Sequence, residues 1–240
     1  MPDFYQKLTQ GVLVASCIVA SAPPVWATSF TINSGETVTT TQTLVDNETG
    51  LIVSGGFITV ESAEGVKITG DNATVTNDGT IDTTGGGTEA IEATGDNAAV
   101  TNNGTITTNA KFAILTSGSG ETIINNGTIT TTGDNADGWV KSGGSSDTFI
   151  NNGTITTTGE LSAAFTPSGS GNVIINNGTI TTSGKNGDGL FNKGANLVFT
   201  NNGSIITTGE SAEGIIATAD NSVYNNLGLI DTSGLSADGI

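Results

Sequence analysis

The sequence predicts an all-β protein. It reads as a right-handed parallel β-helix, a three-faced β-solenoid of about eight coils of roughly 25 residues. Three observations predict it. The words Asn-Asn-Gly-Thr-Ile-Thr-Thr occur four times, beginning at Asn102, Asn125, Asn151 and Asn176, with near copies at Asn77 and Asn201. Around each copy, fixed and variable positions alternate with period two, as inward and outward residues of a strand do. Past the first 27 residues no stretch has the apolar spacing of a helix.

Residues 1–27 read as a secretory signal peptide. Lys7 supplies the basic region, Gly11 to Ala22 the apolar one, and Val25-Trp26-Ala27 a small-residue cleavage site. The apolar run is too short to span a membrane. A lipoprotein signal, with Cys17 as the lipidated residue, is the rival reading. Residues 28–50 match the repeat poorly and are expected to cap the first coil, because a bare parallel edge invites association. Residues 51–240 are the β-helix repeats. They stop in mid-coil at Ile240, and further coils or another domain are expected beyond.

The repeat is anchored on the glycines Gly79, Gly104, Gly127, Gly153, Gly178, Gly203 and Gly228, spaced by 23 to 26 residues. A degenerate copy centres on Gly56. Two residues before each glycine stands Asn: Asn77, Asn102, Asn125, Asn151, Asn176, Asn201 and Asn226. Two after it stands Ile, four after it Thr, and four before it a large apolar residue, from Val75 to Tyr224. A second apolar position follows about twelve residues after the glycine: Ile91, Ile114, Trp139, Phe165, Leu190 and Ile215. Each unit thus holds three short β runs separated by turns. Equivalent runs of successive units share one register and can pair in parallel, winding the chain right-handedly. Inward Ile and Val fill a narrow core. The inward Asn side chains can stack as an amide ladder from coil to coil.

Composition bounds the chemistry. Of 240 residues, 35 are Gly and 5% aromatic, and the net charge is −17 with six Lys, no Arg and no His. Losing Lys7 and Asp3 with the leader leaves that charge unchanged. A nucleic-acid partner is excluded, since phosphate binding needs clustered Lys and Arg. Cys17 is the sole Cys, so beyond the leader there is no thiol or disulfide, and with no His no soft metal ligand either. No cofactor is expected. The acids sit singly at outward positions, without the paired geometry that carboxylate catalysis needs, so the chain is not expected to be an enzyme. Asp137, Asp188, Glu213 and Asp238 share one coil position, where turn chemistry is the simpler account than a weak cation site.

The units "INNGTITTTG", at residues 124–133 and 150–159, together with second strands such as "AEGI" and "ADGW", resemble the passenger domains of Gram-negative autotransporters. The resemblance covers residues from about Gly50 to Ile240. It implies export across the inner membrane and display at the cell surface, outer membrane or extracellular space. It also implies an outer-membrane β-barrel translocator, whose alternating strands this chain does not contain. Polysaccharide lyases and hydrolases built on such β-helices resemble one another in using Arg, or Asp with His, Arg and Lys. Those sets cannot be assembled here.

Two binding readings remain. The first is adhesion or scaffolding toward a surface ligand: a host protein, a glycan or a second copy. The longest variable turns, Lys141–Asp147 and Thr166–Gly171, are its candidates. The second is ice binding by outward threonines in two parallel files, Thr105, Thr128, Thr154 and Thr179 beside Thr107, Thr130, Thr156 and Thr181. Such Thr-x-Thr arrays resemble those of ice-binding solenoids, although Thr is also an ordinary exposed strand residue and the array decays to Ser204/Ile206 and Leu229/Asp231.

Overall fold

The computed structural model describes residues 29–240. The expected leader, with Cys17 and its cleavage site, lies outside the described residues. The described chain is a parallel β-solenoid built from three sheets of nine, nine and eight strands. Every named strand pair is parallel, and each strand pairs with its equivalents one coil before and after. The first sheet runs from Phe30–Ile32 through Thr122–Asn125 to Val223–Asn226. The second runs from Thr37–Val38 through Thr128–Thr131 to Leu229–Thr232. The third runs from Gln42–Leu44 through Trp139–Lys141 to Ile215–Ala217.

The strands are short because each must turn a corner after two to five residues. They persist because each exhausts its backbone hydrogen bonds on the coils above and below. Register is identical throughout: Asn102 lies opposite both Asn77 and Asn125, and Ile106 opposite both Ile81 and Ile129. Period-two alternation appears directly in burial. Thr-Ile-Thr-Thr at 105–108 reads half-buried, buried, half-buried, buried.

The inward positions form one continuous core of Ile, Val, Leu and Ala. Its middle is aromatic. The Phe149 ring stands 5.1 Å from Trp139 and 5.0 Å from Phe165, tilted or edge-on, the arrangement that aromatic quadrupoles favour. Toward the last coil the core thins, and Leu227, Leu229, Leu235 and Ile240 are exposed.

The segment expected as a cap carries a coil of its own from Phe30 on. Phe30 pairs with Gly50 and Thr37 with Phe57. This coil is therefore shorter than the others, which is why the 25-residue pattern does not reveal it. The Phe30 ring occupies the space that a side chain at Gly50 would need.

The anchor glycines answer a packing need. None of them has a positive φ. A Cβ on Gly127 would land on the Gly104 carbonyl oxygen, and one on Gly153 on that of Gly127. Consecutive backbones touch at this corner, so only hydrogen fits. Left-handed residues occupy the other two corners: Asn72, Asn97 and Asn221 stand between the third and first sheets, Asn135 and Asn186 between the second and third, all with φ between 53° and 57°. Asn tolerates that region because its short side chain bonds locally.

Candidate functional site

The two asparagines of each Asn-Asn-Gly do different things. The first is fully buried. Its Nδ2 donates to Oδ1 of the next coil's Asn, from Asn77 to Asn102 at 2.7 Å, Asn102 to Asn125 at 2.8 Å, and onward to Asn226. The second Asn is exposed and forms another ladder in the opposite direction. Asn126 donates back to Asn103 at 2.8 Å, Asn152 to Asn126, and Asn103 to Asp78 at 2.7 Å. The outer ladder was invisible in sequence, because its position varies from Asp78 to Leu227. Both ladders bind coil to coil.

The eight candidate threonines lie where the alternation puts them, on the outer face of the second sheet. Thr105, Thr128, Thr154 and Thr179 are register partners in sequence, as are Thr107, Thr130, Thr156 and Thr181. All are half-buried except exposed Thr128. The file through Thr107 is interrupted at Asp82 and Ile206, whereas the file through Thr105 continues to Thr80 and Ser204.

The two long variable turns are less free than their length suggests. Thr166 and Pro167 are buried in the strand Phe165–Pro167, and Ser170 bridges to Ser145 so that the turns stack on each other. Lys141 and Asp147, the ends of the other turn, are wholly buried. Lys141 Nζ lies 2.5 Å from Asp147 Oδ2, and it donates hydrogen bonds to Glu121 Oε2 at 2.7 Å and to the Gly118 carbonyl. Asp147 Oδ1 accepts the Glu121 backbone N–H at 3.1 Å. Thr116 Oγ1 lies 3.3 Å from Asp147 Oδ2 and accepts the Trp139 ring N–H at 3.0 Å. Burial, with the Asp147 carboxyl beside it, pushes the Glu121 carboxyl up to about 7.

This cluster was missed in sequence, although a signal existed. Lys141 stands two residues after the inward Trp139, at the register position of Thr116 and Pro167. Extending the alternation by one step marks it as a charge pointing inward.

A groove of about 510 Å³ crosses the third sheet. Its lining combines outward residues of that sheet, Thr166, Phe191 and Ile216, with the turn residues Leu161, Asn186 and Ser211. Between them stand Asp137, Asp188 and Glu213, the acids that share one coil position. Asp137 Oδ1 accepts the Ala163 N–H at 2.8 Å, and Asp188 Oδ1 the Glu213 N–H at 2.9 Å. These are the inter-coil bonds of a turn. Burial, and then the neighbouring Glu213 carboxyl, pushes the Asp188 carboxyl up to about 7. Burial also raises Asp137, offset in part by its bonds to Thr166 and Ala163 and by the charge of Lys193. Lys193 Nζ sits 4.4 Å over the Phe191 ring, a cation–π geometry. Among the described residues no cluster of three or more acids is arranged to hold a metal ion. The groove therefore offers an aromatic surface, one cation and buried carboxyls, a set suited to hydrogen-bonding ligands with an apolar face.

No protein-family model matches this chain, and no curated protein or solved structure matches it either.

Proposed function

We propose that the chain is the passenger of a secreted or surface-exposed bacterial protein of the autotransporter kind, adhesin-like and without catalytic activity. The observation that carries this reading is the third-sheet groove. A long solenoid with one differentiated surface suits display of a binding site away from the cell. Phe191 and Lys193 give that site an apolar and cationic side, and Asp137 and Asp188 give it acceptors. The ligand is then a glycan or peptide segment of another surface, or a second copy of the chain.

Capture of the purified secreted protein on glycan and peptide arrays and on cultured cell layers tests the groove. The double variant Phe191→Ala, Asp188→Asn is expected to lose about tenfold or more in capture while keeping its β spectrum. Undiminished capture would remove the groove from the proposal. Display is tested separately, by protease treatment of intact cells making the protein from its own gene. A chain left whole inside the cells argues against surface exposure.

A second reading rests on the register of the threonine files. Eight hydroxyl-bearing residues on one flat sheet, repeating every ~4.8 Å, could order water. Thermal hysteresis of the purified protein tests it, and its absence at high concentration would sink the ice-binding reading.

A further inference from the structure

The most unusual chemistry in the molecule is the buried trio Lys141, Asp147 and Glu121. Isolated charges are not tolerated in such a core, and a paired cluster still carries a large desolvation cost. The same inward position holds Ala93, Thr116 and Pro167 in neighbouring coils, so the fold itself does not require a charge here. The trio also brings an amine against a carboxyl, out of water, beside a second carboxyl that touches the amine.

We propose that Lys141 and Asp147 become joined by an intramolecular amide (isopeptide) bond that the folded protein makes by itself, with Glu121 moving the protons. The amine nitrogen lies 2.5 Å from Asp147 Oδ2, which places it within near-attack range of Cγ. One ammonium proton passes across this ion pair to Oδ2, leaving a neutral amine facing a neutral carboxylic acid. The nitrogen lone pair attacks Cγ and the C–N bond forms. Negative charge develops on Oδ1, which the Glu121 backbone N–H already holds at 3.1 Å, an oxyanion-type donor. A second proton leaves Nζ through Glu121 Oε2, 2.7 Å away, and reaches Oδ2. The Cγ–Oδ2 bond breaks, Oδ1 returns to a carbonyl and one water departs. Ammonium plus carboxylate has become amide plus water, with no oxidant and no change in Glu121.

The surroundings fit that sequence. Thr116 Oγ1 lies against the leaving oxygen and is itself fixed by Trp139 Nε1. Glu121 Oε1 is buried without a hydrogen-bond partner, free to carry a proton while Oε2 exchanges one. A carboxyl pushed up to about 7 both gives and accepts protons near neutrality. The bond would close the corner between the strands Trp139–Lys141 and Thr148–Asn151. No cysteine follows Cys17, so a disulfide cannot do this.

Peptide mapping of the purified protein, denatured and cut with trypsin, tests the proposal. Trypsin cuts after Lys, and an acylated Lys141 is not cut. The expected product is one peptide from Phe112 to Lys185, lighter than its sequence by one water, with fragment ions joining Lys141 to Asp147. Asp147→Ala and Glu121→Gln are each expected to restore the full mass and the cut at Lys141, with circular dichroism checking that both keep the β fold. A wild-type chain of full mass, cut after Lys141, would overturn the cross-link. So would a peptide that has lost water yet is still cut there, which marks a succinimide at the aspartate. Water loss that persists in Glu121→Gln would overturn the proton-carrying role of Glu121.

Discussion

Asn102 gives one amide hydrogen to Asn125 Oδ1 at 2.8 Å and directs its other amide bonding to the Thr128 carbonyl at 3.3 Å, both one coil ahead. The amide is wholly buried, so those partners replace water completely. Asn125 in turn donates to Asn151. Replacing Asn125 with Ala would strand a donor on Asn102 and an acceptor on Asn151. Each orphaned buried group costs about 1–3 kcal/mol, giving a loss on the order of 2–5 kcal/mol. Asn126→Ala removes only an exposed rung and is expected to cost about 0.5 kcal/mol or less. The urea midpoints of the two variants should differ accordingly. Equal midpoints would mean that the inner ladder adds no more than the outer one.

Gly127 has an ordinary φ, so its demand is spatial. A Cβ there meets the Gly104 carbonyl oxygen, and that backbone cannot retreat without breaking two coils of pairing. Gly127→Ala is expected to cost more than about 3 kcal/mol, or to prevent folding. Gly87 is the control. It has φ +71° and open space around its Cβ, so Gly87→Ala should cost only the left-handed strain, about 1–2 kcal/mol. Thermal melts of the two proteins decide whether close approach outweighs backbone freedom.

The solenoid was legible because its code is local and repeated. An inward Ile two residues after a glycine, seven times over, can only be one face of a stacked strand. The short coil at Phe30 was not legible, because a coil several residues shorter breaks the period while keeping the pairing. The Lys141 cluster escaped for a different reason. Lysine is almost always a surface residue, and that expectation hid an inward position which the alternation itself specifies. The groove was out of reach altogether. It depends on Phe191 and Asp188 of one coil and Leu161 of the coil before, which meet only when the rise of the solenoid brings their corners together.

Leu161 occupies the turn position that Asn135 and Asn186 hold in the coils on either side, at the same left-handed conformation, φ 57°. A γ-branched apolar residue has no local hydrogen bond to offset that strain, and its side chain is half exposed. Leu161→Asn is expected to raise stability by about 0.5–1 kcal/mol. The check is an upward shift of the thermal midpoint with an unchanged spectrum. A downward shift would show that Leu161 packing against the groove outweighs the turn preference.

Asp188 should make stability depend on pH in an unusual direction. It is buried beside the Glu213 carboxyl, with Asp137 nearby, and among these groups only the Glu213 backbone N–H favours its charged form. Its folded pKa, about 7, lies above the value of about 3.9 for an unfolded Asp. The folded chain therefore binds this proton more tightly than the unfolded chain. The stability contributed by the neutral acid is complete below pH ~4 and falls away as pH rises toward ~7. Its full size is on the order of 2–4 kcal/mol. Asp188→Asn keeps the shape and removes the titration. Relative to wild type, the variant should gain stability steadily between pH ~4.5 and ~7.5, read as a growing difference in urea midpoints. Glu121, raised in the same way, keeps a similar slope in both proteins and cancels in the difference. A difference that stays flat across that range would place the Asp188 proton outside the folding equilibrium.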